Sequence, residues 1–190
     1  MNINFSQNAW NTEEITYAYS YRFEQTPFFE QLEDCVQNCE NPDAKYGFDN
    51  ISLLSRKKFS SHAKITTRCA FEGMGAPLIV IVDKLYTDER SSVRYGDYLE
   101  VVLYREGVNI WRMKMQDKKV TWKLLMSVSF PVSEDEIHTL EVEIEEDMLF
   151  VKADGKRMAL WIDDMYPSYH LGINACEGIN RFYDLEIDSI

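Results

Sequence analysis

The 190-residue chain has no stretch of about 18 consecutive apolar residues, the length that would span a bilayer as a helix. Met1 to Trp10 also lacks a basic stretch followed by an apolar run, so no secretory signal is legible. The expected compartment is therefore the cytoplasm, or the extracellular space if a leader has been removed. Prolines number only five and are scattered, and no internal repeat, low-complexity tract or Pro/Gly-rich linker divides the sequence. One domain over residues 1–190 is expected, since sandwiches of roughly this length are commonly single domains. Positive charge is in deficit, with 20 Lys and Arg against 32 Asp and Glu for a net charge of −12. Such a field repels phosphate backbones and anionic lipid, which argues against nucleic acid and membrane surfaces as partners. Neutral sugars, cations such as calcium and basic protein patches stay open.

Several chemical signatures are missing too. No Gly-x-Ser-x-Gly elbow, phosphate-binding glycine loop or dinucleotide fingerprint occurs, so acyl, phosphoryl and hydride transfer have no positive support. Four cysteines, Cys35, Cys39, Cys69 and Cys176, are irregularly spaced in a chain too long to need disulfide staples, and are read as free thiols. Cys35 and Cys39 would lie one helical turn apart and could meet His62, but no second close pair completes a metal set.

What is present reads as β-structure. The one helix expected covers 27–39, where Thr26-Pro27 suits a helix start and Phe29, Leu32, Val36 and Cys39 recur at three-to-four spacing. Strands are expected at Ile51–Ser55, Ala63–Phe71 and Leu78–Val82, then around 99–113, 138–161, 170–175 and 181–187. Between Lys84 and Gly96 lies a charged stretch read as a long loop. The fold class expected is all-β, a two-sheet antiparallel jelly-roll-like sandwich with one short helix.

Two hairpins can be read in register. With Glu106-Gly107 as a two-residue turn, Arg105 faces Val108, Leu103 faces Ile110 and Val101 faces Arg112. One face then carries Glu100, Val102, Tyr104, Asn109, Trp111 and Met113. Aromatic platforms beside a carboxylate and an amide suit sugars, whose ring faces expose C–H groups and whose edges expose hydroxyls. Glu100, Tyr104, Asn109 and Trp111 are the ligand-binding candidates, although the same apolar residues could serve as core. Trp122 reads as core. From His138 to Trp161 a meander with turns at Glu146-Asp147 and Asp154-Gly155 buries Leu140, Val142, Ile144, Leu149, Val151 and Met158. Glu141, Glu143 and Glu145 share the opposite face, with Glu141 near Lys152 and Arg157 as in a solvated charge array.

The succession His138-Thr-Leu-Glu-Val-Glu-Ile, Leu149-Phe-Val-Lys-Ala-Asp-Gly155, Leu171-Gly-Ile-Asn174 and Phe182-Tyr-Asp-Leu-Glu-Ile187 resembles the concanavalin A-like lectin and glucanase sandwiches. The resemblance could extend from about Ile51 to Ile187. It implies two curved antiparallel sheets whose concave face or rim loops bind glycans, in lectins, hydrolases or protein-binding modules. By the same resemblance Asp184 is the nominee for a structural calcium ion, though no cofactor is required. The glucanase branch carries Glu-x-Asp-x-(x)-Glu on one strand; Glu141-Val-Glu143-Ile-Glu145 lacks the central aspartate. Three functions follow as expectations: a noncatalytic lectin-like domain binding an oligosaccharide or polysaccharide; a glycoside hydrolase, with Glu100 and Glu143 the carboxylates to test first; or a protein-interaction module with the 84–96 segment at its rim.

Overall fold

A computed structural model of the chain describes residues 1–190 apart from 11, 21–27, 45, 46, 49, 61, 117, 118 and 135. In chain order the strands are β1 (Asn2–Asn4), β2 (Ile15–Ser20), β3 (Glu30–Gln31), β4 (Val36–Gln37), β5 (Ile51–Ser55), β6 (His62–Glu72), β7 (Leu78–Val82), β8 (Leu85–Thr87) and β9 (Val93–Tyr95). They continue with β10 (Tyr98–Tyr104), β11 (Gly107–Gln116), β12 (Lys119–Ser129), β13 (His138–Glu145), β14 (Met148–Ala153), β15 (Lys156–Trp161), β16 (His170–Ala175), β17 (Ile179–Phe182) and β18 (Asp184–Ser189).

Two sheets form. The first runs β15-β14-β13-β6-β17-β4-β3, with β18 beside the first half of β6 and β1 outside β18. The second runs β12-β11-β10-β7-β16-β5-β2-β9-β8. Every pairing is antiparallel except β2 with β9. Alternation along the strands decides what is buried: Leu140, Val142 and Ile144 of β13 and Leu99, Val101 and Leu103 of β10 join one core between the sheets. The sandwich expected from the sequence is the one observed.

Among the described residues there is no helix, which corrects the expectation at 27–39; Thr26 and Pro27 lie outside the described residues. Phe29 and Val36 are buried as anticipated, but Phe29 just precedes β3 and Val36 opens β4, two short strands joined by a turn in which the Leu32 N–H donates to the Cys35 carbonyl at 2.9 Å. Val36 is claimed by pairing with Phe182 of β17, and Phe29 packs edge-on against the Phe182 ring at 6.0 Å. Sheet pairing here overrides local spacing. None of the four cysteines is joined in a disulfide, as expected.

The 84–96 segment is not a solvated excursion. It folds as the β8–β9 hairpin, closed by Asp88, which accepts from the Arg90 and Ser92 N–H groups at 2.9 Å each and pairs with Arg94 at 2.8 Å. The Arg94 bond is the main cause that holds Asp88 below the usual carboxylate range. Tyr95 then lies over the outer face of the second sheet, its hydroxyl 2.7 Å from Ser52 Oγ, while Asn174 Nδ2 donates to the same Oγ at 2.6 Å. With Leu54, Leu78, Val80, Val82, Tyr98 and Met113 it makes a second, smaller core. Half of that outer face is thus roofed. The half over β10–β12 is open.

Candidate functional site

The β10–β11 hairpin positions the candidate residues. Its register is Leu103 to Val108, Val101 to Ile110 and Leu99 to Arg112, so the turn is Arg105-Glu106 and each expected pair is displaced by two residues. An even displacement leaves every side chain on its own face. Glu100 stands opposite Trp111 and Val102 opposite Asn109, both pairs on the open outer face.

Glu100, Tyr104, Asn109 and Trp111 all line one groove of about 390 Å³. Its floor is β10 and β11. One wall is the β6–β7 loop at Gly73–Ala76 together with Cys176-Glu177 after β16, and the other is Trp122 on β12. Glu100 is only 5% exposed at the floor. Asn109 Oδ1 is buried there without a hydrogen-bond partner.

Trp122 corrects the sequence expectation of a core residue: it is 42% exposed and meets Trp111 edge-to-face, ring centres 6.4 Å apart at 79°. The cause is a β-bulge on β12. Ile110 pairs with Met126 but Trp111 with Leu124, so Leu125 is the extra residue and the alternation flips there. Met126 and Val128 stand opposite the core residues Ile110 and Val108, while Trp122 and Leu124 turn to the groove side.

The loop wall is fixed from behind. Asn180, fully buried, donates from Nδ2 to the carbonyls of Cys176 at 3.3 Å, Glu177 at 3.0 Å and Gly178 at 3.4 Å, and its N–H reaches Asn38 Oδ1 at 2.7 Å. Asn38 Nδ2 returns to the Gly178 carbonyl at 2.8 Å. Gly178 has φ +58, and a Cβ there would come within 2.4 Å of the Gly75 nitrogen, so only glycine lets the two wall loops touch. The Glu177-Gly178 pair signals a turn in the sequence, but nothing local marks either loop as a groove wall.

The remaining nominees lie elsewhere. Glu143 sits on the outer face of the first sheet, opposite Phe150, in a shallow depression with Glu141, Glu145, Lys152 and Arg157. Glu141 does stand opposite Lys152, but its ion pair is with Lys64 on β6 at 2.9 Å. Glu100 and Glu143 therefore do not converge: two stacked sheets, about 10 Å apart, separate them. That exceeds the roughly 5–9.5 Å used by glycosidase carboxylate pairs. The neighbours of Glu100 across the strands are Trp111 and Val80, and Val102 follows it on its own face.

Asp184 is committed to Arg68, accepting its main-chain N–H at 2.8 Å and its Nε at 2.5 Å. Both carboxylate oxygens are spent on a cation and a donor, and among the described residues no group of three His, Cys, Asp or Glu could hold a metal ion. Calcium takes six to eight oxygens, so a calcium ion at Asp184 would have to draw on backbone carbonyls and displace or share the Arg68 contacts. Asp184→Ala is expected to cost about 1 kcal/mol in urea denaturation, the same in calcium and in chelator, because the lost partner is the half-exposed Arg68. A loss confined to calcium buffer would place a metal there instead.

No family model matches the chain, and no curated protein matches it in sequence. Solved structures do match. A glycoside hydrolase family 16 endo-glucanase from Bacteroides ovatus superposes with a TM-score of 0.60 at 11% identity, covering 99% of each chain. A legume lectin-like domain from Entamoeba histolytica gives 0.58 at 13% identity over 94% of this chain and 91% of that one. A family 66 carbohydrate-binding module from Bacillus subtilis gives 0.54 at 14% identity over 77% and 89%. The fold is that of the concanavalin A-like lectin and glucanase sandwiches.

Proposed function

We propose that this chain is a noncatalytic carbohydrate-binding domain whose ligand lies in the groove over β10–β12. The observation that carries the reading is the meeting of Tyr104, Trp111 and Trp122 with Glu100 and Asn109 along one groove of about 390 Å³. Indole and phenol faces stack on sugar C–H groups, and the carboxylate and amide accept hydrogen bonds from hydroxyls. The structural neighbours include a carbohydrate-binding module, a lectin-like domain and an endo-glucanase, which supports a sugar ligand and leaves binding or catalysis to the site. Binding is favoured by the stacking surface of Trp111 and Trp122; of the groove's two carboxylates only Glu100 stands on the floor strand, Glu177 lying on the wall loop after β16.

The test is intrinsic tryptophan fluorescence during titration with a panel of oligosaccharides, with and without calcium. Saturable binding is expected, weakened roughly thirtyfold in folded Trp111→Ala, which corresponds to about 2 kcal/mol for a central aromatic anchor. No reducing ends should be released. Cleavage abolished by Glu100→Gln would replace the reading with a hydrolase, and silence across the panel would replace it with a protein-interaction module.

A further inference from the structure

We propose that the sugar bound in this groove carries a protonated amine, so that the site selects amino sugars over their neutral and N-acetylated counterparts; this rests on the carbohydrate-binding reading. Two acceptors stand on the polar floor. Glu100 contributes a carboxylate at 5% exposure, and Asn109 Oδ1 is buried with no partner. The two are diagonal neighbours, since Glu100 pairs with Trp111 and Val102 with Asn109. Diagonal positions on a sheet are about 7–8 Å apart, within reach of different substituents on one pyranose ring.

An ammonium group offers three donors and asks for no acceptor, whereas each hydroxyl offers one donor and brings lone pairs that need donors in turn. Glu177 adds a second carboxylate at the wall. Among the described residues the one cation lining the groove is Arg105, whose exposed side chain is directed to Glu106 at 3.8 Å. The described lining thus carries two carboxylates to one cation, inside a protein whose net charge of −12 already concentrates cations. Water is scarce at Glu100, and a charge-assisted hydrogen bond there is roughly twice as strong as a neutral one. The paired indoles add to this, because an aromatic face attracts a cation that a neutral acetamide lacks.

The experiment titrates the full chain with glucosamine oligomers and with N-acetylglucosamine oligomers of equal length, below and above the titration of the amine and at two salt concentrations. The amine form is expected to bind at least about tenfold tighter, the advantage shrinking with salt and vanishing once the amine is neutral. Glu100→Gln should weaken binding of the amine form about tenfold, and Trp111→Ala should remove it. Equal binding of the two oligomers to the wild type, or tighter binding of the acetylated one, overturns the amine preference and leaves the carbohydrate reading standing. Amine binding that persists in Trp111→Ala also overturns it, as attraction to the general field. If neither these oligomers nor the neutral panel binds, both readings fall. Should Glu100→Gln fail to fold, the wild-type comparison decides alone.

Discussion

Between about pH 9 and about pH 11 the protein is expected to lose its fold in one steep transition. Burial raises Tyr17 and Tyr169 from 10.0 to about 12, raises Tyr95 and Tyr166 further still, and raises the thiols, Cys35 from 9.0 to about 11 and Cys69 beyond it. In every case desolvation is the leading cause, because burial strips water from the anion. The sign follows from the direction of the shifts. A group raised in the folded state contributes its full stability below its unfolded pKa, and loses it as pH climbs toward the folded value. The thiols therefore begin to act near pH 9 and the tyrosines near pH 10. By about pH 11 the raised groups together withdraw several kcal/mol, a large share of the stability of a typical domain. Tyrosinate absorbance and near-ultraviolet circular dichroism should change together. Tyrosinate forming at its ordinary pH in a protein that keeps its tertiary signal would contradict the burial of these rings.

Asn180→Ala is the substitution with the largest expected effect on both stability and the groove. Its amide serves three successive carbonyls of the wall turn while its main chain is held by Asn38, all in a site with no exposure. Truncation leaves the Cys176 and Glu177 carbonyls without that donor, and buried groups deprived of partners cost roughly 1–3 kcal/mol each. A loss of about 3 kcal/mol in urea denaturation is expected, with ligand affinity falling severalfold as Cys176-Glu177 slackens beside the groove. The fold-preserving comparison is a replacement on the outer face of the first sheet, such as Glu143→Gln, which should move neither quantity. Wild-type stability in Asn180→Ala would mean that the turn holds itself.

Much of this was legible because β-structure reads with a period of two. The β13–β14–β15 meander has the expected register, with Glu141 opposite Lys152 and Lys152 opposite Arg157. The β10–β11 turn was misplaced, yet an even slip cannot exchange faces, so Glu100, Tyr104, Asn109 and Trp111 were grouped correctly. An odd slip can, and the bulge at Leu125 is one: Trp122, Leu124, Met126 and Val128 alternate perfectly in the sequence while their side chains divide between groove and core. The missed helix at 27–39 has a different origin. A tight reversal sets Val36 opposite Gln31 and leaves Phe29 and Val36 both in the core, so apolar residues seven apart serve this reversal as well as two helical turns. Side-chain bonds to the main chain then tip the balance, as Gln31 Nε2 donates to the carbonyls of Phe5, Leu32 and Cys35 at 2.8, 2.7 and 3.1 Å. The loop walls were invisible because they depend on Asn38 meeting Asn180 across the chain.

One flank of β6 is occupied by β13, and the other by β17 and β18, which follow the other sixteen described strands in chain order. Until residues 179–189 have left the ribosome, the longest strand of its sheet presents a bare row of amides and carbonyls beside the apolar side chains of Ala63, Ile65, Cys69 and Phe71. Completion of this sheet thus waits for β17 and β18, and folding then proceeds through long-range pairing, on the millisecond-to-second scale of all-β domains. A chain halted before residue 179 would carry nearly all of this core with an open edge, the condition in which strands recruit one another into aggregates.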